Sequence, residues 1–406
     1  MATRILEISH ERTRKALVWM GVSHEPFLVF YALLPFILRK DLGASLLQIS
    51  ILSSLRPIIP IFAFYWSANL TNQKKGLRSN LMGAWFLARV PFVFVFWIQN
   101  VWYLIFCCVM YELFNKSGIP ALIEILKINM PKESREKTYT FLYMLTFIES
   151  ILLGLLMAGV LDRFSSSWQV VCSVTVLLSM TSIFLQRKVP IAQEKDLKPS
   201  VRLPFFSQLT GPWKDAFKLL KSRPDFARFQ YGFMMGGFGL MLIAPSLSLF
   251  YVDYLQLSHS ELIWGRSILM GIGVVISSSL WRQYLAVEYV PQMTRWILFG
   301  FALFPFVLVL SQISILFFYI SFIFYGVAQS GSHLLWNLSG TLFAVEEDSS
   351  PFSRVNILML GLRGIIAPGL GGLLCNWAGP LPVLILGGSI CIAGSIYMMR
   401  IRLAVA

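Results

Sequence analysis

Apolar stretches of about twenty residues recur along the chain, separated by short segments that carry charge or turn residues. They fall at about 16 to 38, 45 to 69, 79 to 99, 101 to 126, 137 to 161, 168 to 186, 226 to 252, 260 to 281, 295 to 312, 314 to 340, 354 to 377 and 380 to 399. Each can cross the hydrocarbon core of a bilayer as a helix. Backbone placed in hydrocarbon must satisfy its own hydrogen bonds, so all twelve are predicted to be helical. One long polar segment, Gln186 to Asp225, is broken by Pro190, Pro199, Pro204, Pro212 and Pro224 and divides six helices from six. The domain plan is therefore an N-terminal bundle over 1–185, a linker over 186–225 and a C-terminal bundle over 226–406. Inside the linker, Trp213, Phe217 and Leu220 recur at i, i+4 and i+7, while Lys214, Asp215, Lys218 and Lys221 take the other face. That pattern fits a helix lying on an anionic leaflet and equally a loop helix that shields the bundles.

Composition agrees with a membrane protein. Of 406 residues, 56% are hydrophobic and 13% charged, and the mean hydropathy is +0.68, which excludes a soluble enzyme of this size. The formal charge of +14 would suggest nucleic acid if it were spread over a surface. Its location says otherwise. With the N-terminus inside, the inner segments hold Arg4, Arg12, Arg14, Lys15, Lys74, Lys75, Arg78, Lys127, Lys132, Arg135 and Lys137, the basic residues from Arg187 to Arg228, and Arg282, Arg295, Arg354, Arg400 and Arg402. Outer loops hold Arg39, Lys40 and Arg163. This asymmetry predicts both termini in the cytoplasm and leaves no need for a nucleic-acid partner; the expected location is the plasma (inner) membrane, crossed many times. Five cysteines, all within apolar stretches, act as small hydrophobes and imply no disulfide framework. His24 and Glu25 interrupt the first apolar stretch, so it is expected to be a retained span rather than a cleaved signal.

The halves repeat. Leu42-Gly-Ala-Ser45-Leu-Leu-Gln48-Ile49 aligns with Leu255-Gln-Leu-Ser258-His-Ser-Glu261-Leu262 at an offset of 258 − 45 = 213, and the same offset sets Ser117-Gly118 on Ser330-Gly331. Parallel six-helix repeats are a transporter architecture. Gly118-Ile-Pro120-Ala121, followed by Pro131 and Arg135, and the run Gly364-Ile-Ile-Ala-Pro368-Gly369-Leu-Gly371-Gly372 complete an ordered set. Over essentially its whole length the chain resembles the major facilitator superfamily. The resemblance implies an all-α polytopic protein, twelve transmembrane helices in two pseudo-symmetric bundles, which carries a small-molecule solute by alternating access and functions as a monomer. Two features depart from the family pattern. The segment Asn69 to Arg78 keeps the basic cluster but lacks the family's acidic residue, with Asn72 left as a hydrogen-bonding substitute, and Gly154-Leu-Leu-Met-Ala-Gly159 lacks the Gly-Pro signature of proton-driven drug exporters. The first puts the family's inner latch in question and favours a receptor-like relic, and the second turns the expectation toward uptake or exchange of a metabolite.

Ionisable groups in mid-span cost about 2.5 to 3.5 kcal/mol each on insertion scales and mark a cavity or a partner. Here they are Glu25, Arg56, Arg89, Glu112, Lys116, Glu149, Arg266 and Arg363, with His24 and His333. Basic groups outnumber acidic ones, which favours an anionic or zwitterionic solute. Glu112 and Lys116 stand at i and i+4 in the order that favours a pair along one face. Helix ten carries Tyr325, Gln329, Ser332 and Trp336 as a polar and aromatic stripe, and the repeat sets Glu112 on Tyr325 and Lys116 on Gln329. By the resemblance, helices one, four, seven and ten line the cavity. Glu112, Lys116, Tyr325, Gln329, Trp336 and Arg363 are therefore the candidate solute contacts, with ion pairing inside the bundle as the alternative. Glu25, which precedes Pro26, and Glu149 are the candidate proton carriers, with pairing to Arg56, Arg89 or Arg363 as theirs. Gly232, Gly236, Gly237 and Gly239 with Pro245 fit either a flexible gate or close packing. The four histidines are scattered and show no metal-ligand spacing, and no cofactor is expected. A polytopic membrane enzyme and a non-transporting, receptor-like relic of the fold remain the rival functions.

Overall fold

The computed structural model describes residues 2–68, 77–164, 167–186, 189, 205–284, 286–344 and 350–401. The basic loop with Asn72, most of the linker before Phe205, the acidic run Glu346 to Asp348 and Arg402 lie outside them. The helices are α1 (Ala2–Lys40), α2 (Leu46–Ala68), α3 (Leu77–Val93), α4 (Val101–Asn129), α5 (Lys132–Arg163), α6 (Trp168–Leu185), α7 (Phe205–Ser222) and α8 (Pro224–Leu249). There follow α9 (His259–Ile263), α10 (Met270–Arg282), α11 (Val290–Val309), α12 (Ile315–Phe343), α13 (Ser350–Ala378) and α14 (Pro380–Met399). A π-helical turn, Trp264–Leu269, joins α9 to α10, and a second one, Phe250–Tyr254, ends α8. Each predicted stretch overlaps one or more of these helical segments, and nine spans among the described residues are long and apolar enough to cross a membrane.

The contacts divide the chain into two units. Unit 1 holds Met1–Leu42 with Phe62–Arg202, and unit 2 holds Gly43–Ile61 with Leu203–Ala406. Helix pairing repeats between them. In unit 1, α1 packs on α5 and α6, and α3 on α4 and α6; in unit 2, α8 packs on α13 and α14, and α11 on α12 and α14.

The sequence repeat has a local cause. Ser45 and Gln48 exchange hydrogen bonds, Ser45 N donating to Gln48 Oε1 at 2.8 Å and Gln48 N to Ser45 Oγ at 3.3 Å. Ser258 and Glu261 do the same at 2.8 and 3.1 Å. Both are capping boxes, which satisfy the free N–H groups of a first helical turn. At the second repeated site a Cβ on Gly118 would stand 2.7 Å from the Trp85 indole, and one on Gly331 would stand 2.8 Å from Ile297. Absence of a side chain lets α4 meet α3 and α12 meet α11.

Unit 2 is held along glycine seams. A Cβ on Gly371 would lie 1.8 Å from the Leu242 carbonyl oxygen, one on Gly239 2.6 Å from that of Gly387, one on Gly326 2.1 Å from that of Met270, and one on Gly273 2.5 Å from that of Ile323. Small residues allow this backbone-to-backbone approach. Gly232 meets the Met398 side chain and Gly236 that of Leu298, so these glycines of α8 serve packing as well. Along α13, Gly364 rests on Pro57 and Gly372 on Ser50 of α2, both within unit 2.

The linker helix α7 forms, with a face different from the expected one. Ala216 is buried, and Trp213, Leu219 and Leu220 pack against the core of unit 2, while Phe217 is 73% exposed. Small Ala216, one turn after Trp213, makes the close contact and turns Phe217 outward beside exposed Lys214, Lys218 and Lys221.

Candidate functional site

In unit 1, α1, α3, α4 and α6 bring a polar cluster into an aromatic setting. Arg89 of α3 is fully buried (0% exposed). Its Nε donates to Ser179 Oγ at 2.6 Å and its Nη1 to the Trp85 carbonyl at 2.9 Å, and its carbon centre lies 5.1 Å from the Trp85 ring centroid. Arg89 Nη2 reaches His24 Nδ1 at 3.1 Å. A guanidinium only donates, so Ser179 accepts from it and turns its own hydrogen to His24 Nδ1, 2.6 Å away. His24 Nε2 then carries the ring proton and donates to the Tyr111 hydroxyl at 3.1 Å. Phe27, Tyr31 and Phe92 close around Tyr111 with ring centroids 5.2, 4.7 and 6.3 Å from it. His24 and Tyr31, seven residues apart on α1, both present their rings to Tyr111.

Glu112 is buried and accepts from the Tyr31 hydroxyl at 3.1 Å. Lys116 is exposed, and among the described residues it makes no ion pair; the i, i+4 pair with Glu112 is not formed. Glu25 of α1 and Glu149 of α5 lie close enough for their charges to repel. Glu149 Oε2 is buried without a hydrogen-bond partner, and neither carboxyl pairs with Arg56, Arg89 or Arg363 among the described residues.

In unit 2, Arg363 of α13 is 8% exposed. Its Nη1 faces the Met234 thioether at 4.0 Å, its Nε has no partner, and no described carboxylate pairs with it. Its seat on α8 exists because residue 237 is glycine, since a Cβ there would stand 1.6 Å from Nη1. Arg266 lies in the π-helical turn, a helical irregularity that recurs at functional sites. It feels the charge of Arg56, which is exposed, and has Tyr251 and Tyr325 beside it.

The helix-ten stripe is spread over several contacts within α12 and its neighbours. Tyr325 packs on Phe304 and Phe301 of α11, with centroids at 4.8 and 5.7 Å. Gln329 bonds His333 on its own helix at 2.9 Å, and Trp336 stacks on Phe233 of α8 at 6.4 Å. Sequence reasoning missed a buried triad nearer one end of unit 2, in which Gln230 donates to Asn356 Oδ1 and Asn356 Nδ2 to Ser339 Oγ at 2.9 Å. It also missed Ser179 and Tyr111. Uncharged polar residues on different helices give no spacing signal. Among the described residues, no three of His, Cys, Asp and Glu stand together as a metal-holding group.

The family model of the Major Facilitator Superfamily matches residues 27–356. No curated protein matches the chain. Among solved structures, a POT family transporter in complex with 5-aminolevulinic acid is similar with TM-score 0.74 at 10% identity, over 96% of this chain and 95% of that one. The nucleoside transporter NupG is similar with TM-score 0.65 at 13% identity, over 96% and 98%. A bacterial homolog of the human lysosomal transporter Spinster, inward-facing and unoccupied, gives TM-score 0.62 at 12% identity over 96% and 95%. At such identities the likeness is one of fold.

Proposed function

Because the chain belongs to the major facilitator superfamily, we propose that it is a secondary transporter for a small polar solute that bears an anionic group, either an anion or a zwitterion, and that it works by alternating access. Arg363 carries this reading. A buried guanidinium without a counter-charge costs several kcal/mol, and a solute carboxylate or phosphate accepting two of its N–H groups offsets that cost in the loaded state. Lys116, exposed and without an ion pair among the described residues, offers a second cation on α4. Glu112, Tyr325, Gln329 and Trp336 supply hydrogen bonds and ring faces on α4 and α12. The Lys and Arg asymmetry supports an orientation with both termini cytoplasmic, and the family membership is the ground for reading the protein as a monomer in the plasma (inner) membrane.

Transport is coupled to protons through Glu25 and Glu149. A carboxylate is costly in an apolar span and a carboxylic acid is not, and the two acids repel when both are charged. The pair would take up one proton on one side of the membrane and lose it on the other.

Counterflow in proteoliposomes, with a panel of small carboxylates, phosphate esters, amino acids and organic cations, tests both parts. The expected result is exchange of one or more anions or zwitterions, lost in Arg363→Gln. Glu25→Gln or Glu149→Gln should keep exchange between equal pools and lose accumulation driven by a pH gradient. Exchange confined to cations would overturn the solute class. Wild-type accumulation that ignores an imposed pH gradient would overturn the coupling.

A further inference from the structure

A groove runs along unit 2 between α11 and α14. Arg295, Trp296 and Phe299 line it from α11, and Ile392, Ile396 and Met399 from α14, around about 350 Å³. That volume is in the range of small-ligand sites. Trp296, Phe299, Ile396 and Met399 are all exposed, so the groove opens on the side where hydrocarbon would lie. Its floor is fixed, since Ser395 Oγ donates to the Arg295 carbonyl at 3.0 Å and ties the two helices together at that level.

One end of the groove is charged. The Arg295 guanidinium lies 4.9 Å from the Trp296 ring centroid, held over the indole, and no described carboxylate pairs with it. Arg400, exposed, follows Met399 at the same end. Among the described residues, no acidic one lines the groove. An apolar trough with a tryptophan and two arginines at its mouth matches one amphiphile, with acyl chains along Phe299, Ile392 and Ile396 and a phosphate at the guanidinium. A zwitterionic headgroup would bring its own cation toward Arg295 and Arg400, and an anionic one does not.

We propose that this groove is a binding site for an anionic glycerophospholipid in the leaflet at the C-terminal end of α14. Native mass spectrometry of the purified full-length protein, with phosphatidylglycerol or phosphatidylcholine of matched chains, tests it. Wild type should retain phosphatidylglycerol over phosphatidylcholine by about fivefold, the worth of one basic residue beside an anionic headgroup. Arg295→Gln should bring the ratio near one, and Arg295→Lys should keep most of the preference. Ile396→Trp, which fills the trough, should lower retention of both lipids. Lys214, Lys218 and Lys221 changed together to Gln on α7 should leave the ratio where it was. An unchanged ratio in Arg295→Gln, undiminished retention in Ile396→Trp, or loss of the preference in the α7 triple variant alone would overturn the proposal.

Discussion

Two buried arginines in this chain have opposite surroundings, and their replacement should have opposite effects. Arg89 donates to a hydroxyl, a carbonyl and an imidazole, so Arg89→Met strips three groups of a partner at once. It should destabilise the protein by about 3 kcal/mol, at the lower figure of about 1 for each of the three groups, since Ser179 and His24 keep their bond to each other. Arg363 has a thioether and an unpartnered Nε. Arg363→Met should therefore raise stability, on the order of 1 to 4 kcal/mol, while abolishing solute-dependent stabilisation. Thermal unfolding in detergent with and without the transported solute reads both effects; a fall in unfolding temperature for Arg363→Met would show that the guanidinium is satisfied after all. Residue identity alone did not separate the two arginines. Both read as mid-span cations, because the partners of Arg89 are Ser179 and His24 on other helices, and a hydrogen bond across helices leaves no period in a sequence. Glu25 and Glu149 were singled out one by one, but their proximity was visible only once α1 met α5.

At the level of elements, the parts the sequence made legible were those with a local chemical cause. Hydropathy marked each span because a helix in hydrocarbon has to be apolar along its length. The 213-residue repeat was legible because a capping box requires a hydroxyl residue and a Glu or Gln three positions later, as at Ser45–Gln48 and Ser258–Glu261. Ser258→Ala should cost about 1 kcal/mol, and Ser258→Asp should recover most of it, both read as shifts in the unfolding midpoint. Helix faces were less legible. Phe217 outweighs Ala216 in any hydrophobic pattern, yet the small residue faces the core, because contact there is decided by how near α7 can come rather than by how much surface one side chain offers. The two π-helical turns were not foreseen either, since a widened turn looks like ordinary helix in composition.

For the whole molecule, the charge asymmetry gives a direct expectation for the orientation of the chain. All five native cysteines are buried, so single cysteines can be read against them without removing them. Arg163→Cys should react with an impermeant maleimide on intact cells, and Lys218→Cys only after permeabilisation; the reverse order would invert the topology. The two units share helix pairings but differ in how the pairs touch, and in unit 2 the touching surfaces are glycine against carbonyl along α8, α10, α12, α13 and α14. A carbonyl oxygen has no rotamer to yield, so any side chain added at Gly239, Gly326 or Gly371 moves a whole helix. Over generations this splits the inheritance of unit 2 into two kinds of position. A side chain is expensive along the seams and cheap where positions project from the helices, so a change of cargo is expected to come from the projecting positions without redrawing the frame that carries it.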